Sequence, residues 1–410
     1  MNLHLNKTTN QEIDSEIIIS GSKSESNRLL ILQQLFSEIT IENLSDSDDT
    51  HHLQEALSSA NKIADIGHAG TAMRFLTAFF ATQEGKTKNL QGSDRMHNRP
   101  IEILVNALRD LGADIEYVGK EGYPPLKIRG KKLLKNKVSI NGNVSSQYIS
   151  ALMLIAPSLQ NGLEICLEGK VTSVPYIKMT LALLHQVNVK ASFEGNSIFI
   201  EPKENVFKQD IVVESDWSSA SYFYSLIALS NIGSSVKLSA YKETSLQGDS
   251  CLARIYQHFG VATKFQENSI ILTKEKEHSS ETLVEDLKNA PDIAQTIAVT
   301  CFGLGVACNL SGLHTLKIKE TDRLEALREE LTKLGAEIDV TNETLHLKKS
   351  NKINEHIKIT TYNDHRMAMA FAPLAFKVPI IILDAEVVTK SYRNFWNDMK
   401  LIGIEAVKVK

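Results

Sequence analysis

A helix-like stretch that ends at a small turn residue and runs into a short strand recurs along this chain. It reads ALRDLGADIEY (107–117), LLHQVNVKASF (183–193), YQHFGVATKF (256–265), ELTKLGAEIDV (330–340) and MKLIGIEAVKV (399–409), with LQEALSSANKIAD (53–65) as a weaker first copy. The turn positions Gly112, Asn188, Gly260, Gly335 and Gly403 fall about every 70 residues. Gly or Asn suits the left-handed residue that ends a helix. A unit of that length holds about two helices and several strands, which is too much for a small solenoid repeat. Six units split as three plus three, with a hinge expected around 213–216. The length, 410 residues, leads separately to two domains.

Composition narrows the function classes. Charged residues make up 23% and apolar residues 42%, which excludes a disordered chain, a collagen-like chain and a coiled-coil rod. Forty-five basic against 49 acidic residues give a formal charge of −4, so no general affinity for polyanions is expected. Any phosphate chemistry must come from a local cluster. Cys166, Cys251, Cys301 and Cys308 show neither CxxC nor zinc-site spacing and read as reduced core thiols. The start, MNLHLNKTTNQE, lacks a basic segment followed by an apolar one, and the most apolar run, 297–308, is far short of a membrane span. A soluble, intracellular protein is expected.

The chemistry-bearing residues stand at helix starts. GSKSESNR (21–28) puts Lys23 and Ser24 at a helix N-terminus with Arg28 one turn in. Free backbone N–H groups, the positive dipole end, a hydroxyl and two cations make an anion site there. HAGTAMR (68–74) sets Gly70 at the next start, and QGSDRMHNRP (91–100) adds Arg95 and Arg99. Arginine is the preferred bidentate partner of carboxylate and phosphate. NVSSQY (143–148) offers Ser145, Ser146 and Gln147, and KVTSVPYI (170–177) offers Ser173 and Tyr176. APDIAQT (290–296) puts Asp292 in the first turn of an apolar helix. In KIKETDRLEALREEL (317–331) a helix over 320–334 is expected, with Lys319 and Arg323 four apart on one face and Glu320 three before Arg323. NDHRMAMAF (363–371) opens with Arg366, and VTKSYRNF (388–395) supplies Lys390. Taken singly, each of these is also an ordinary cap, turn or solvated charge.

Together and in this order, GSKSESNR, GHAGTAMR, RMHNRP, VSSQY, IKETDRL, NDHRMAM and TKSYRNF resemble the 5-enolpyruvylshikimate-3-phosphate synthase family, the 3-phosphoshikimate 1-carboxyvinyltransferases. The resemblance spans Gly21 to Trp396. It implies an α/β (α+β) fold: a two-domain inside-out α/β barrel, each domain three βαβαββ repeats, with the active site in the interdomain cleft. The implied domains are 21–213, mainly the shikimate-3-phosphate side, and 1–20 plus 214–410, the phosphoenolpyruvate and acid–base side. The implied hinges lie near 20 and 213, and a site split over both domains leads to the expectation that they close on ligand.

The resemblance also implies residue roles. Lys23, Ser24, Arg28, Ser145, Ser146, Gln147, Ser173, Tyr176, Asp292, Thr315 and Lys319 match the shikimate-3-phosphate site. Lys23, Gly70, Arg99, Gln147, Arg323, Arg366 and Lys390 match the phosphoenolpyruvate site. Asp292, Glu320 and Lys23 match the catalytic groups. Three positions depart from the family pattern: His68 and Thr315 each stand where Asn is usual, and Trp217 stands where small residues also occur. No cofactor, metal, nucleic acid or membrane is implied, and a cytoplasmic monomer is expected. Of the rivals, a transferase acting on UDP-N-acetylglucosamine usually carries a Cys in the loop that here spans 90–100, which contains none. An RNA-processing relative of the scaffold calls for a basic surface. A non-catalytic anion binder would not keep both carboxylates.

Overall fold

The computed structural model describes residues 1–7, 13–143, 145–171 and 174–409. The chain forms two compact units, one of residues 21–213 and one of 1–20 with 214–410. Each is built from copies of one motif. In the first unit a complete copy runs strand Ile63–Asp65, helix Gly70–Ala81, strand Thr87–Gln91, helix Glu102–Leu111, then the antiparallel pair Asp114–Tyr117 and Leu126–Arg129. Its first two strands pair in parallel, and the last strand lies antiparallel between the second and the third. The same order recurs from Lys137–Asn141 to Ser197–Ile200 and, in the second unit, from Leu283–Asp286 to Leu345–Leu347.

The remaining copies are completed by strands distant in sequence. Asp14–Ile17 pairs in parallel with Ser235–Ser239, and Gln209–Val212 pairs in parallel with Ile39–Glu42. Each of these strands is the last before the chain passes to the other unit, so each supplies the leading strand of a copy whose helix comes much later or earlier. Asn2–Lys7 lies antiparallel between Ile380–Ile382 and Ile404–Val409 and closes the last copy. One expectation needs correction. Residues 53–65 do not end a first copy, because Ile63–Asp65 opens the following one by pairing with Thr87–Gln91. The copy containing Lys23–Leu35 and Asp48–Ser58 therefore has no closing hairpin, and its sheet has two strands instead of four. The expected turn residues all hold: Gly112, Gly260, Gly335 and Gly403 have φ of 110°, 77°, 101° and 92°, and Asn188 has 59°.

The first helix of each copy is buried nearly all round. In Trp217–Leu229 every residue except Ser218 is buried, and Gly70–Ala81 and Ala294–Leu304 are almost as fully enclosed. Such helices belong inside a core. Their sequences alternate large apolar residues with Ser, Thr, Ala and Gly. The small residues permit close approach, and the hydroxyls find one another. Thr300 Oγ1 lies 2.7 Å from Ser225 Oγ and 2.9 Å from the Tyr256 hydroxyl, and Ser221 Oγ is 3.1 Å from Thr296 Oγ1. Buried polar groups need such partners. Each unit thus packs its first helices against one another, and side-chain bonds link several of their starts: Gln147 to Thr71 in one unit, and Arg366 to Ser218 and to the Asp292 backbone in the other.

The N-terminal strand is integral to this arrangement. Leu5 is fully buried in the middle of its sheet. Leu5→Ala is expected to lower the unfolding free energy by about 2–5 kcal/mol, read as a lower midpoint in urea denaturation; an unchanged midpoint would mean the strand is dispensable.

Candidate active site

In the 21–213 unit several of the residues singled out from sequence stand at helix starts. Lys23 is the first residue of Lys23–Leu35, half-buried, with Nζ 3.2 Å from Asp49 Oδ2. Ser145 caps Ser146–Ile155 by accepting from the Gln147 backbone N–H. Gln147 Nε2 donates to Thr71 Oγ1 at 3.0 Å, which ties this start to that of Gly70–Ala81. Ser173 lies outside the described residues.

Arg28 is 2% exposed. Its guanidinium donates to Ser24 O (2.7 Å), Thr180 Oγ1 (2.8 Å) and Ser150 Oγ (3.0 Å), and its cation lies over the rings of Phe75 and Tyr176. Burial lowers its pKa to about 10. It remains charged at neutral pH, fixing the Ser24 carbonyl and the Tyr176 ring from beneath.

The Arg99 guanidinium packs directly on the bare backbone of Gly70: a Cβ there would come within 2.3 Å of Arg99 Nη1, so any side chain at this position would displace Arg99. Arg99 has no carboxylate within ion-pair distance among the described residues. Its position depends on a residue to which the sequence reading gave no role. Buried Arg74 donates to Gly70 O at 3.1 Å and to Pro100 O at 2.9 Å, joining the helix start to the loop that carries Arg99. Burial, and then the Arg99 charge, lower its pKa to about 10.

In the unit of 1–20 and 214–410, Arg323 is the centre. It is 2% exposed and begins helix Arg323–Lys333, capped by Asp322. Nε donates to Asp364 Oδ2 (2.7 Å), Nη1 to Asp292 Oδ1 (2.8 Å) and Nη2 to Glu320 Oε2 (2.8 Å). Further cations surround the same carboxylates. Arg366 Nη2 lies 3.3 Å from Asp292 Oδ2, Lys319 Nζ 3.5 Å from Asp292 Oδ1, and Lys390 Nζ 2.9 Å from Glu320 Oε1. The Thr315 hydroxyl is buried with no hydrogen-bond partner among the described residues. The expected helix over 320–334 is corrected: it starts at Arg323, and Lys319 and Glu320 precede it in irregular chain after the 3₁₀ turn His314–Ile318. Lys319 and Arg323 meet at Asp292 without sharing a helix face.

Asp364, fully buried, was also missed. It caps His365–Phe371 by accepting from Arg366 N at 2.9 Å while holding Arg323. The available signal was an Asp immediately before an apolar helix.

The electrostatics follow from this crowding. Burial alone would raise the Asp292 carboxyl, but Arg366, Lys319 and Arg323 outweigh it and hold the group well below the usual range. Burial likewise opposes ionisation of Glu320, and Arg323, Lys390 and His365 overcome it, leaving its pKa well below the ordinary value. Both are carboxylates at neutral pH.

The whole architecture is shared with solved enolpyruvyl transferases. An EPSP synthase from Acinetobacter baumannii matches with a TM-score of 0.81 at 19% identity, over 99% of this chain and 100% of that one. The enolpyruvyl transferase NikO from Streptomyces tendae matches with a TM-score of 0.74 at 12% identity, over 100% and 99%. At those identities the likeness speaks for the fold, that of the enolpyruvyl transferases. Sequence separates the branches. A family model described as EPSP synthase (3-phosphoshikimate 1-carboxyvinyltransferase) matches residues 53–399. A 3-phosphoshikimate 1-carboxyvinyltransferase of Bacteroides fragilis is 45% identical over 96% of each chain. One of Haemophilus influenzae is 36% identical over 96% of this chain and 97% of its own. The chain belongs to the EPSP synthase family.

Removing the central guanidinium strands three carboxylates in a low-dielectric site. Arg323→Met is expected to cost about 3–5 kcal/mol of stability at pH 7. Depressed carboxyl pKa values stabilise the native state above the unfolded-state pKa, and that contribution is lost as pH falls through the folded values. The gap between wild type and variant therefore shrinks as the solution is acidified below the ordinary carboxyl range. Denaturation curves across that range check it; a gap independent of pH contradicts the electrostatic origin.

Proposed function

We propose that this chain transfers the enolpyruvyl group of phosphoenolpyruvate to the 5-hydroxyl of shikimate-3-phosphate with release of phosphate, the shikimate-pathway step on the way to chorismate and the aromatic amino acids. The observation that carries this reading is that one buried guanidinium, that of Arg323, holds both Asp292 and Glu320, with Arg366, Lys319 and Lys390 on the same carboxylates. An acid–base pair and an anion site are thereby one object. The proposed setting is a cytoplasmic monomer.

In the proposed chemistry the 5-hydroxyl oxygen bonds to C2 of phosphoenolpyruvate while C3 takes a proton. The tetrahedral intermediate then loses a proton from C3 as the C2–O bond to phosphate breaks, its electrons leaving with the phosphate. Asp292 accepts the hydroxyl proton, and Glu320, with Lys23, serves C3. Arg323, Arg366, Lys390, Arg99, Lys23, Gln147 and the backbone at Gly70 hold phosphoenolpyruvate. Ser24, Arg28, Ser145, Ser146, Gln147, Ser173, Tyr176, Asp292, Thr315, Lys319 and Lys23 hold shikimate-3-phosphate. The orphan hydroxyl of Thr315 suits a substrate hydroxyl.

A carboxylate held well below its usual pKa is a poor base. Anionic groups that draw Arg366, Arg323 and Lys390 toward themselves weaken the pairs that depress Asp292 and Glu320, and burial then raises both. In this reading the ligands themselves bring the two carboxyls toward a useful pKa.

A phosphate-release assay with both substrates tests the assignment. Asp292→Ala and Lys23→Met are expected to lower turnover by at least about 100-fold with native far-UV circular dichroism retained. Turnover close to wild type in either would remove that residue from the mechanism, and release with UDP-N-acetylglucosamine in place of shikimate-3-phosphate would overturn the reading as a whole.

A further inference from the structure

We propose that Asp249 is a positioning residue for Arg366, acting through the Ser218 hydroxyl, and that the charge on its carboxyl sets how strongly Arg366 holds an anionic ligand. The inference rests on the proposed phosphoenolpyruvate role of Arg366. Asp249 lies in the 3₁₀ turn Gly248–Cys251 and is buried. The Ser218 hydroxyl donates to Asp249 Oδ2, and Ser218 Oγ in turn accepts from Arg366 Nη2 at 3.2 Å. A hydroxyl has one proton and two lone pairs. Committing its proton to Asp249 leaves Ser218 facing the guanidinium as an acceptor.

Ser218 is the one residue of Trp217–Leu229 that is not buried, and it stands at the helix start that Asp216 caps. Arg366 is thus held by two residues: Asp292 takes Nη1 through its backbone oxygen (3.2 Å) and Nη2 through Oδ2 (3.3 Å), and Ser218 Oγ also takes Nη2 (3.2 Å).

The charged and titratable groups acting on Asp249 are Asp292, Arg366 and Asp216, with Cys251 on its own turn. Those acting on Arg366 are Asp292, Tyr222, Asp249 and Asp216, with the like charge of Arg323 across Asp292. Burial, and then the neighbouring Asp292 charge, push the Asp249 carboxyl up to about 7 against the pull of Arg366 and Ser218. Arg366 therefore faces a neutral neighbour in mild acid and an anionic one in mild base. Above neutrality the Asp249 carboxylate competes with an incoming anion for the same guanidinium, and ligand affinity falls.

The test is the pH dependence of KM for phosphoenolpyruvate and of kcat between pH 6 and 9, in wild type, D249N, D249A, S218A and R366K. Wild-type KM should rise through neutrality. D249N keeps an acceptor for Ser218 without the charge, so its kcat should stay near wild type and its KM should lose that rise. S218A and D249A should raise KM about tenfold at every pH, with the smaller change in kcat. If D249A does not fold, S218A, which deletes only a partly buried hydroxyl, carries the same test. Superimposed KM profiles for wild type and D249N, or a wild-type KM in S218A, overturn the proposal. R366K separates the two ideas: an unchanged KM there means Arg366 does not bind phosphoenolpyruvate, whereas a raised KM with superimposed D249N and wild-type profiles removes only the role of Asp249.

Discussion

One guanidinium organises the chemistry of the second unit. Arg323 spends its planar fork on Asp364, Asp292 and Glu320, carboxylates contributed by three separate segments. A lysine in its place would offer a point charge and could not hold three acceptors in fixed directions. The arrangement is expensive to bury, and it tolerates burial because every charge in it has an opposite partner. Four cations, Lys319, Arg323, Arg366 and Lys390, stand against three carboxylates. Most of that charge is already matched internally, and the carboxylates occupy the positions that ligand anions would contest.

That competition explains why one cluster can be both stable and reactive. Asp292 and Glu320 have pKa values far below those of ordinary carboxyls while the cations attend to them, and burial works against ionisation throughout. Any anion that shares the cations shifts the balance toward burial. In the proposed function the basicity of these groups is a property of the complex with ligand, while in the ligand-free protein the cations spare each of them the cost of a buried unpaired carboxylate.

The repeat was legible because its outer helices are amphipathic and end at a left-handed Gly or Asn, a local requirement that any copy must meet. Of the inner helices, those after Gly70 and Asp292 were legible from their starts, whereas Trp217–Leu229 was not read as a helix, and such helices, apolar on nearly all sides, carry no stripe to show which way they face. Strand exchange was invisible to periodicity: nothing within Asp14–Ile17 or Gln209–Val212 says that its partner lies in Ser235–Ser239 or Ile39–Glu42. The same holds for 53–65, where a helix followed by a strand looked like the end of one copy and is the junction of two. Among site residues, the cations were visible from their motifs, whereas Arg74, Asp364 and Ser218 act by holding those cations. Their significance lies in contacts such as Arg74 to Pro100 O and Asp364 to Arg323, which join segments far apart in sequence.

The placement of these holding residues follows from the core. An inner helix buried along its whole length leaves its first turn as the place where backbone N–H groups and polar side chains reach solvent. Because the first helices of a unit pack on one another, their first turns are neighbours, as the bonds from Gln147 to Thr71 and from Arg366 to Ser218 show. Site formation is thus a consequence of packing apolar helices with their starts aligned, and each repeated copy contributes a start. Lys23, Gly70 and Ser145 in one unit, and Ser218, Asp292 and Asp364 in the other, all stand within two residues of the start of a first helix, so each of these copies brings different chemistry to the same kind of structural address.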